Sequence, residues 1–241
     1  MALPKIDVPT YEMTVPSLGR SVTVRPFSVK EEKLLLMAAE GGKIDEITST
    51  VKQVINNCVV DGKIDVDRLP FYDIDYAFIF LRAKSVGETQ KISLTCKNKP
   101  DGEHFCNNVF SADIDIRNVE IIKENVANDI KLDSTKGVKM KVPNYSVVKH
   151  IEASTNDIDK KTALIVGSID YIYDDKGTYS SKDHSKDEMF KFVEGLTEEN
   201  YKRMEKFVDN FPTFVVTLDA TCDKCGFEHH VRYTDFEDFF T

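Results

Sequence analysis

The spacing of apolar residues changes period near Glu88, from the helical repeat of two long segments to the alternation of strands, and that change restricts the folds open to this chain. In the segments just before it, apolar residues recur every three to four positions, the repeat of a helix with one covered face. Ile44, Ile47, Val51, Val54, Ile55 and Cys58 form one such stripe, and Phe71, Ile74, Phe78 and Leu81 form another. After it, Lys91-Ile92-Ser93-Leu94-Thr95 and Val109-Phe110-Ser111-Ala112-Asp113-Ile114-Asp115-Ile116 alternate, as half-buried strands do. Helical and extended patterns segregated in this way predict an α+β fold.

Short-range signals refine that frame. Tyr11–Val15 and Val22–Arg25 flank Gly19-Arg20 and read as a hairpin. Ser28 and Glu31 form a capping box that opens a helix through Leu34, Leu35 and Ala38, ending at Gly41-Gly42. The second helix closes at Asp61-Gly62, and the third runs from Pro70 to Gly87. Short strands are expected at Val119–Ile122, Ile130–Leu132 and Val138–Lys141, then a short helix through Val147, Val148 and Ile151 and another over Asn156–Val166. Ile169–Tyr173 and Thr178-Tyr179 form a tight hairpin, Ser185 and Glu188 a second capping box, and Glu198–Asn210 a helix stopped by Pro212. Phe214–Leu218 and His229–Tyr233 form a last hairpin. The expected organisation is an extended arm (1–10), a lobe of one hairpin and three helices (11–88), and an α+β lobe with central antiparallel strands, C-terminal helices and two Cys-bearing hairpins (89–241), with no composition shift marking the boundary.

Charge and composition narrow the classes of function. The 32 basic and 41 acidic residues leave a net charge of −9. An acidic chain without a basic stripe is a poor ligand for nucleic acid, where phosphate neutralisation supplies most of the affinity. Lys160-Lys161 reads as solvated helix surface. No stretch of about 18 apolar residues could span a membrane. Residues 1–13 lack the apolar core of a secretory signal, which places the chain in a cytoplasm.

The five cysteines carry the most informative chemistry. Cys222-Asp223-Lys224-Cys225-Gly226 sits at a hairpin tip, where two thiolates spaced by two residues point to one side and glycine permits the tight backbone. Cys96 and Cys106 stand at the two ends of the other hairpin loop, with nine residues between them. If the hairpins meet, the four sulfurs close a tetrahedral structural zinc site. Two other readings stay open: reduced cysteines without metal, and a site where His104, His229 or His230 replaces one sulfur. Cys58, on an apolar stripe, reads as an inert core residue.

No catalytic constellation emerges. The chain has no phosphate-binding glycine loop, no His-Glu-x-x-His helix and no nucleophile elbow. Asp174-Asp175-Lys176-Gly177 with Asp183 lacks the alternating acidic ligands of a calcium loop and reads as a hairpin tip. Asp73, Asp75, Asp113 and Asp115 read as outward-facing positions of a helix and a strand. His229 and His230 are adjacent in a strand and point to opposite faces. Phe236, Phe239 and Phe240 share one face of a final helical turn, either packed on their own domain or docked in a neighbour. Leu3, Ile6 and Val8 of the arm could lie on a partner.

Three blocks of this sequence resemble the T4-type bacteriophage baseplate hub family. They are Tyr11-Glu12-Met13-Thr14-Val15-Pro16-Ser17-Leu18-Gly19 with Val24-Arg25-Pro26-Phe27 and Val29–Ala38; Leu69-Pro70 through Phe80-Leu81-Arg82-Ala83-Lys84-Ser85-Val86-Gly87-Glu88; and Cys222-x-x-Cys225-Gly226 followed by Asp238-Phe239-Phe240. The loop between Cys96 and Cys106 is longer than the compact Cys-x-x-Cys expected there. The resemblance, strongest over residues 11–90 and at the C-terminal end, implies a hub subunit or hub assembly protein, made in the cytoplasm of an infected bacterium and working by shape and not as an enzyme. Its partners would be other hub and baseplate proteins and the tape measure, in a homo-oligomer or a hetero-complex, with the virion tail as a second location. The alternative is a zinc-ribbon protein that binds nucleic acid or a regulatory partner.

Overall fold

A computed structural model describes residues 7–117, 119–147, 151 and 156–239. It is a mixed α+β fold of antiparallel sheets, and the chain divides into two compact units. One comprises the residues up to Val66, Tyr72–Ile122 and those from Thr213 on; the other comprises Asp67–Phe71 and Lys123–Pro212.

The first unit opens with strands β1 (Tyr11–Val15) and β2 (Arg20–Val24), paired antiparallel across a turn that ends at Gly19. Their inward residues Met13, Val15, Val22 and Val24 are buried, as a period of two requires. Helix α1 (Val29–Gly41) begins at the Ser28/Glu31 capping box and stops at Gly42, which adopts φ +67°. Helix α2 (Ile44–Cys58) buries its apolar stripe. It ends three residues sooner than Asp61-Gly62 suggests, because Val59–Asp61 leaves the helix as β3 and pairs with β2.

Helix α3 (Phe71–Ser85) differs from a one-faced helix. It buries ten residues on all sides, including Asp73, Asp75 and Arg82. The outward placement read for Asp73 and Asp75 is therefore corrected: they are 1% and 7% exposed. The segment Tyr72-Asp73-Ile74-Asp75-Tyr76-Ala77-Phe78-Ile79-Phe80-Leu81 offers no polar face, and a helix apolar all round is buried. The polar groups it carries inward find partners. Asp73 accepts the Ser17 N–H at 2.9 Å and the Ser17 hydroxyl, tying the β1–β2 turn to the helix. Burial raises the Asp73 carboxyl above the usual carboxylate range, against the two Ser17 hydrogen bonds. Arg82 donates to the Phe239 carbonyl.

The rest of this unit is β4 (Thr89–Thr95) paired with β5 (Val109–Asp115), and a sheet of β6 (Glu120–Ile122), β11 (Thr213–Thr221) and β12 (Glu228–Tyr233) in the order β12-β11-β6. The chain returns in a 3-10 turn, Phe236–Phe239. Phe236 packs edge-on against Phe78 at 5.7 Å, and Phe239 against Phe214 and Tyr233 at 6.4 and 5.9 Å. Of the two readings for this cluster, Phe236 and Phe239 thus pack within their own unit. Phe240, like Leu3 and Ile6 of the arm, lies outside the described residues.

The second unit is one sheet, β10-β9-β8-β7, formed from β7 (Asp129–Lys131), β8 (Gly137–Met140), β9 (Ile169–Tyr173) and β10 (Thr178–Ser180). Helices α4 (Asp157–Ser168), α5 (Lys186–Glu194) and α6 (Glu198–Asp209) complete it. Ile130, Val138 and Met140 from the strands meet Ile165, Met189, Val193, Met204, Phe207 and Val208 from the helices in one core. Gly137 has no room for a side chain, since a Cβ there would fall 2.2 Å from the Tyr173 hydroxyl. Asp174 accepts the N–H groups of Lys176 and Gly177 at the β9–β10 tip. A 3-10 turn covers Tyr145–Val147, and Val148 of the expected short helix lies outside the described residues.

Two outcomes follow. Phe239→Ala empties a fully buried site and should cost about 3–5 kcal/mol, read as a lower midpoint in chemical denaturation. Glu31 accepts from Arg25 in a two-point ion pair and from Ser28, and the Arg25 hydrogen bond first, opposed by burial, brings its carboxyl down to about 2. A depressed carboxylate stabilises the fold fully above its ordinary value and loses that contribution as pH falls toward the folded one. Glu31→Gln should therefore remove up to about 3 kcal/mol at pH 7 and flatten the stability loss between pH 5 and about pH 2.

Candidate metal centre

The two Cys-bearing hairpins, more than a hundred residues apart in sequence, meet in the first unit. Cys96 follows β4 directly, Cys106 precedes β5, and Cys222 and Cys225 occupy the tip between β11 and β12. The four sulfurs lie within 4.8 Å of one another. Cys96 and Cys225 are 3.6 Å apart and Cys106 and Cys222 3.9 Å. Four thiolates around a tetrahedral ion at a Zn–S bond of about 2.3 Å would sit about 3.8 Å apart, so the set already has the dimensions of such a shell. Cys96 and Cys222 are buried; Cys106 and Cys225 are half-buried.

The long first loop does not spoil this geometry. Cys106 donates its N–H to the Asn98 carbonyl at 2.7 Å, Cys96 to that of Asn108 at 2.8 Å, and Asn107 to that of Cys96 at 3.0 Å. These bonds pinch the base of the loop and extrude residues 99–105, leaving the two sulfurs side by side. Asn107 takes φ +50° to make the turn, a conformation asparagine tolerates better than most residues. Across the site, Gly226 takes φ +71° while its N–H bonds the Cys222 carbonyl at 2.9 Å.

Hydrogen bonds to sulfur repeat a single pattern. Cys96 accepts the N–H of Asn98, Cys106 that of Asn108, and Cys222 those of Lys224 and Cys225. In three cases the donor lies two residues after the cysteine. Asn98 and Asn108 also reach across with their side-chain amides, to Cys225 at 3.8 Å and Cys222 at 3.5 Å. Each asparagine therefore serves both hairpins. The sequence reading missed them, although Cys-x-Asn occurs at both ends of the loop. Burial pushes the Cys96 thiol up to about 12 and raises that of Cys106. Burial also opposes ionisation of Cys222, but the N–H groups of Cys225 and Lys224 and the Asn108 amide bring it down to about 6. A bound cation would favour the thiolate at every one of these sulfurs.

Of the candidate histidines, His104 and His230 are paired elsewhere, whereas the Nε2 of His229 is buried with no hydrogen-bond partner among the described residues. His104 pairs with Asp101 in the extruded loop and His230 with Asp219 on the outer face of β12. His229 points to the other face, its ring 5.6 Å from that of Phe110 and 5.0 Å from that of Phe227. Cys58 is fully buried, and burial pushes its thiol up to about 12.

The family model described as T4 bacteriophage base plate protein matches residues 8–241, nearly the whole chain. This chain belongs to that family. It is a baseplate structural protein of a T4-type phage, and its partners are other phage structural proteins. No curated protein and no solved structure matches it. Among the described residues no helix is long and apolar enough to cross a membrane.

The tip of this baseplate protein's β11–β12 hairpin depends on a glycine held in the left-handed region with open space around its missing side chain. Gly226→Ala should therefore cost about 1–2 kcal/mol through backbone strain alone, read as a lower unfolding midpoint with the secondary structure unchanged.

Proposed function

We propose that this protein belongs to the central hub of the baseplate, as a built-in subunit or an assembly factor, and that Cys96, Cys106, Cys222 and Cys225 hold a structural zinc ion. The single observation that supports the metal reading is four sulfurs already spaced as a tetrahedral shell, with N–H groups and two amides directed at them. Four protein ligands leave no open position for water or substrate, so the ion would be a clip and not a catalyst. It would join the β4–β5 pair to the β11–β12 hairpin, two pieces whose shared cluster of buried residues is small: Cys96, Phe110 and Cys222, with Leu94 and Ala220 against them. The protein then acts as hub proteins do, by presenting surfaces in a fixed arrangement, and carries out no reaction.

Two measurements test this. Metal analysis of protein purified without chelator should find about one zinc per chain, and cobalt(II) loading should give the visible bands of a tetrahedral thiolate site. Replacing Cys96 and Cys222 by Ser should abolish both and lower the melting temperature. Metal-free protein with an unchanged melting temperature in zinc would sink the clip. Mass spectrometry of purified virions addresses the hub role. Stoichiometric peptides indicate a built-in subunit. Abundance in infected lysate with absence from virions indicates an assembly factor. Recovery from baseplate parts lacking the hub would refute both.

A further inference from the structure

Helix α1 carries six consecutive apolar residues, Leu34-Leu35-Leu36-Met37-Ala38-Ala39. Neighbours on a helix are about 100° apart, so such a run covers every face. The fold covers only one, burying Glu31 and Leu35. On the other side Val29 and Met37 are each 68% exposed and Leu36 43%. An apolar run that reaches every face is normally enclosed, and exposed Val29, Leu36 and Met37 together mark the open side of α1 as an interface.

The charges on that side identify the occupant. Val29, Lys33, Leu36 and Glu40 follow the spacing i, i+4, i+7, i+11 and form one stripe, with Met37 beside it. We propose that this stripe pairs antiparallel with α1 of a second copy of this chain, about a two-fold axis between Leu36 and Met37. A two-fold interface must be self-complementary, each residue meeting on the partner the residue that meets it in return. Here Leu36 of each copy faces Met37 of the other, and Lys33 of each faces Glu40 of the other on both flanks. Val29 falls toward the start of the other copy's α2, where Ile44 is 37% exposed. Parallel pairing would set Lys33 against Lys33 and Glu40 against Glu40. The surface thus favours one arrangement of one partner. The proposal stands on this helix surface alone and depends on neither the hub role nor the metal.

Sedimentation equilibrium of the full chain tests it. The wild type should dimerise. Lys33→Glu and Glu40→Lys should each weaken the dimer by about tenfold or more by opposing like charges, and the two combined should restore it. Met37→Glu should leave only monomer. All three residues sit on the open side, so melting curves taken at concentrations where every variant is monomeric should coincide, and any change in mass reads as association. A wild type monomeric at the highest soluble concentration overturns the proposal, as does a dimer indifferent to the single reversals or a double variant that fails to recover. If the wild type is monomeric and Met37→Glu instead abolishes capture of a different baseplate protein, the occupant is that protein and self-pairing is wrong.

Discussion

Enclosure of α3 is the constraint on which the first unit depends. A helix covered on all sides cannot leave any polar group to water, and an unpaired buried carboxylate or guanidinium would cost several kcal/mol. Three of its polar groups therefore reach different parts of the chain. Asp73 holds Ser17 in the β1–β2 turn, Arg82 holds the Phe239 carbonyl, and the Ser85 hydroxyl takes the Phe27 N–H at 2.9 Å. With Phe78 against Phe236, the first and last parts of the described chain are fastened to one helix. The apolar contacts supply most of the burial energy; the polar ones fix which segments lie where.

The cysteine cluster solves a different problem. Where β4–β5 meets the β11–β12 tip, few large side chains are available, and an apolar core alone would hold the junction weakly. Sulfur ligands need little space and bind strongly when shared by one ion. The surrounding N–H groups and the amides of Asn98 and Asn108 are directed at the sulfurs, which would lower the cost of bringing four thiolates together on an ion. A metal held by the four sulfurs would set the relative direction of the two hairpins without enlarging the core.

Local features were legible from the sequence wherever the deciding atoms lie within a few residues of one another. Both capping boxes form as spaced, because Ser28 with Glu31 and Ser185 with Glu188 complete their own hydrogen bonds. The hairpins and the apolar stripe of α2 follow for the same reason: turn residues and hydrophobic period are local. The third strand, Val59–Asp61, was missed because three residues are too few to show a period, and only pairing with β2 gives them their shape. Asp73 and Asp75 were placed outward because polarity is a poor guide to burial once a helix is enclosed.

The sequence by itself determined the segregation of helical and extended segments, where most elements begin and end, and the kind of donor available for a metal. Tertiary structure alone decided that Cys96 and Cys106 stand beside Cys222 and Cys225, that Phe236 and Phe239 turn inward, and that α1 is covered on one side only. The physical reason is the range of the forces involved. Caps, turns and periodicity are settled by neighbours along the chain, whereas a shared site and the covering of a surface depend on which distant segments the whole fold brings into contact.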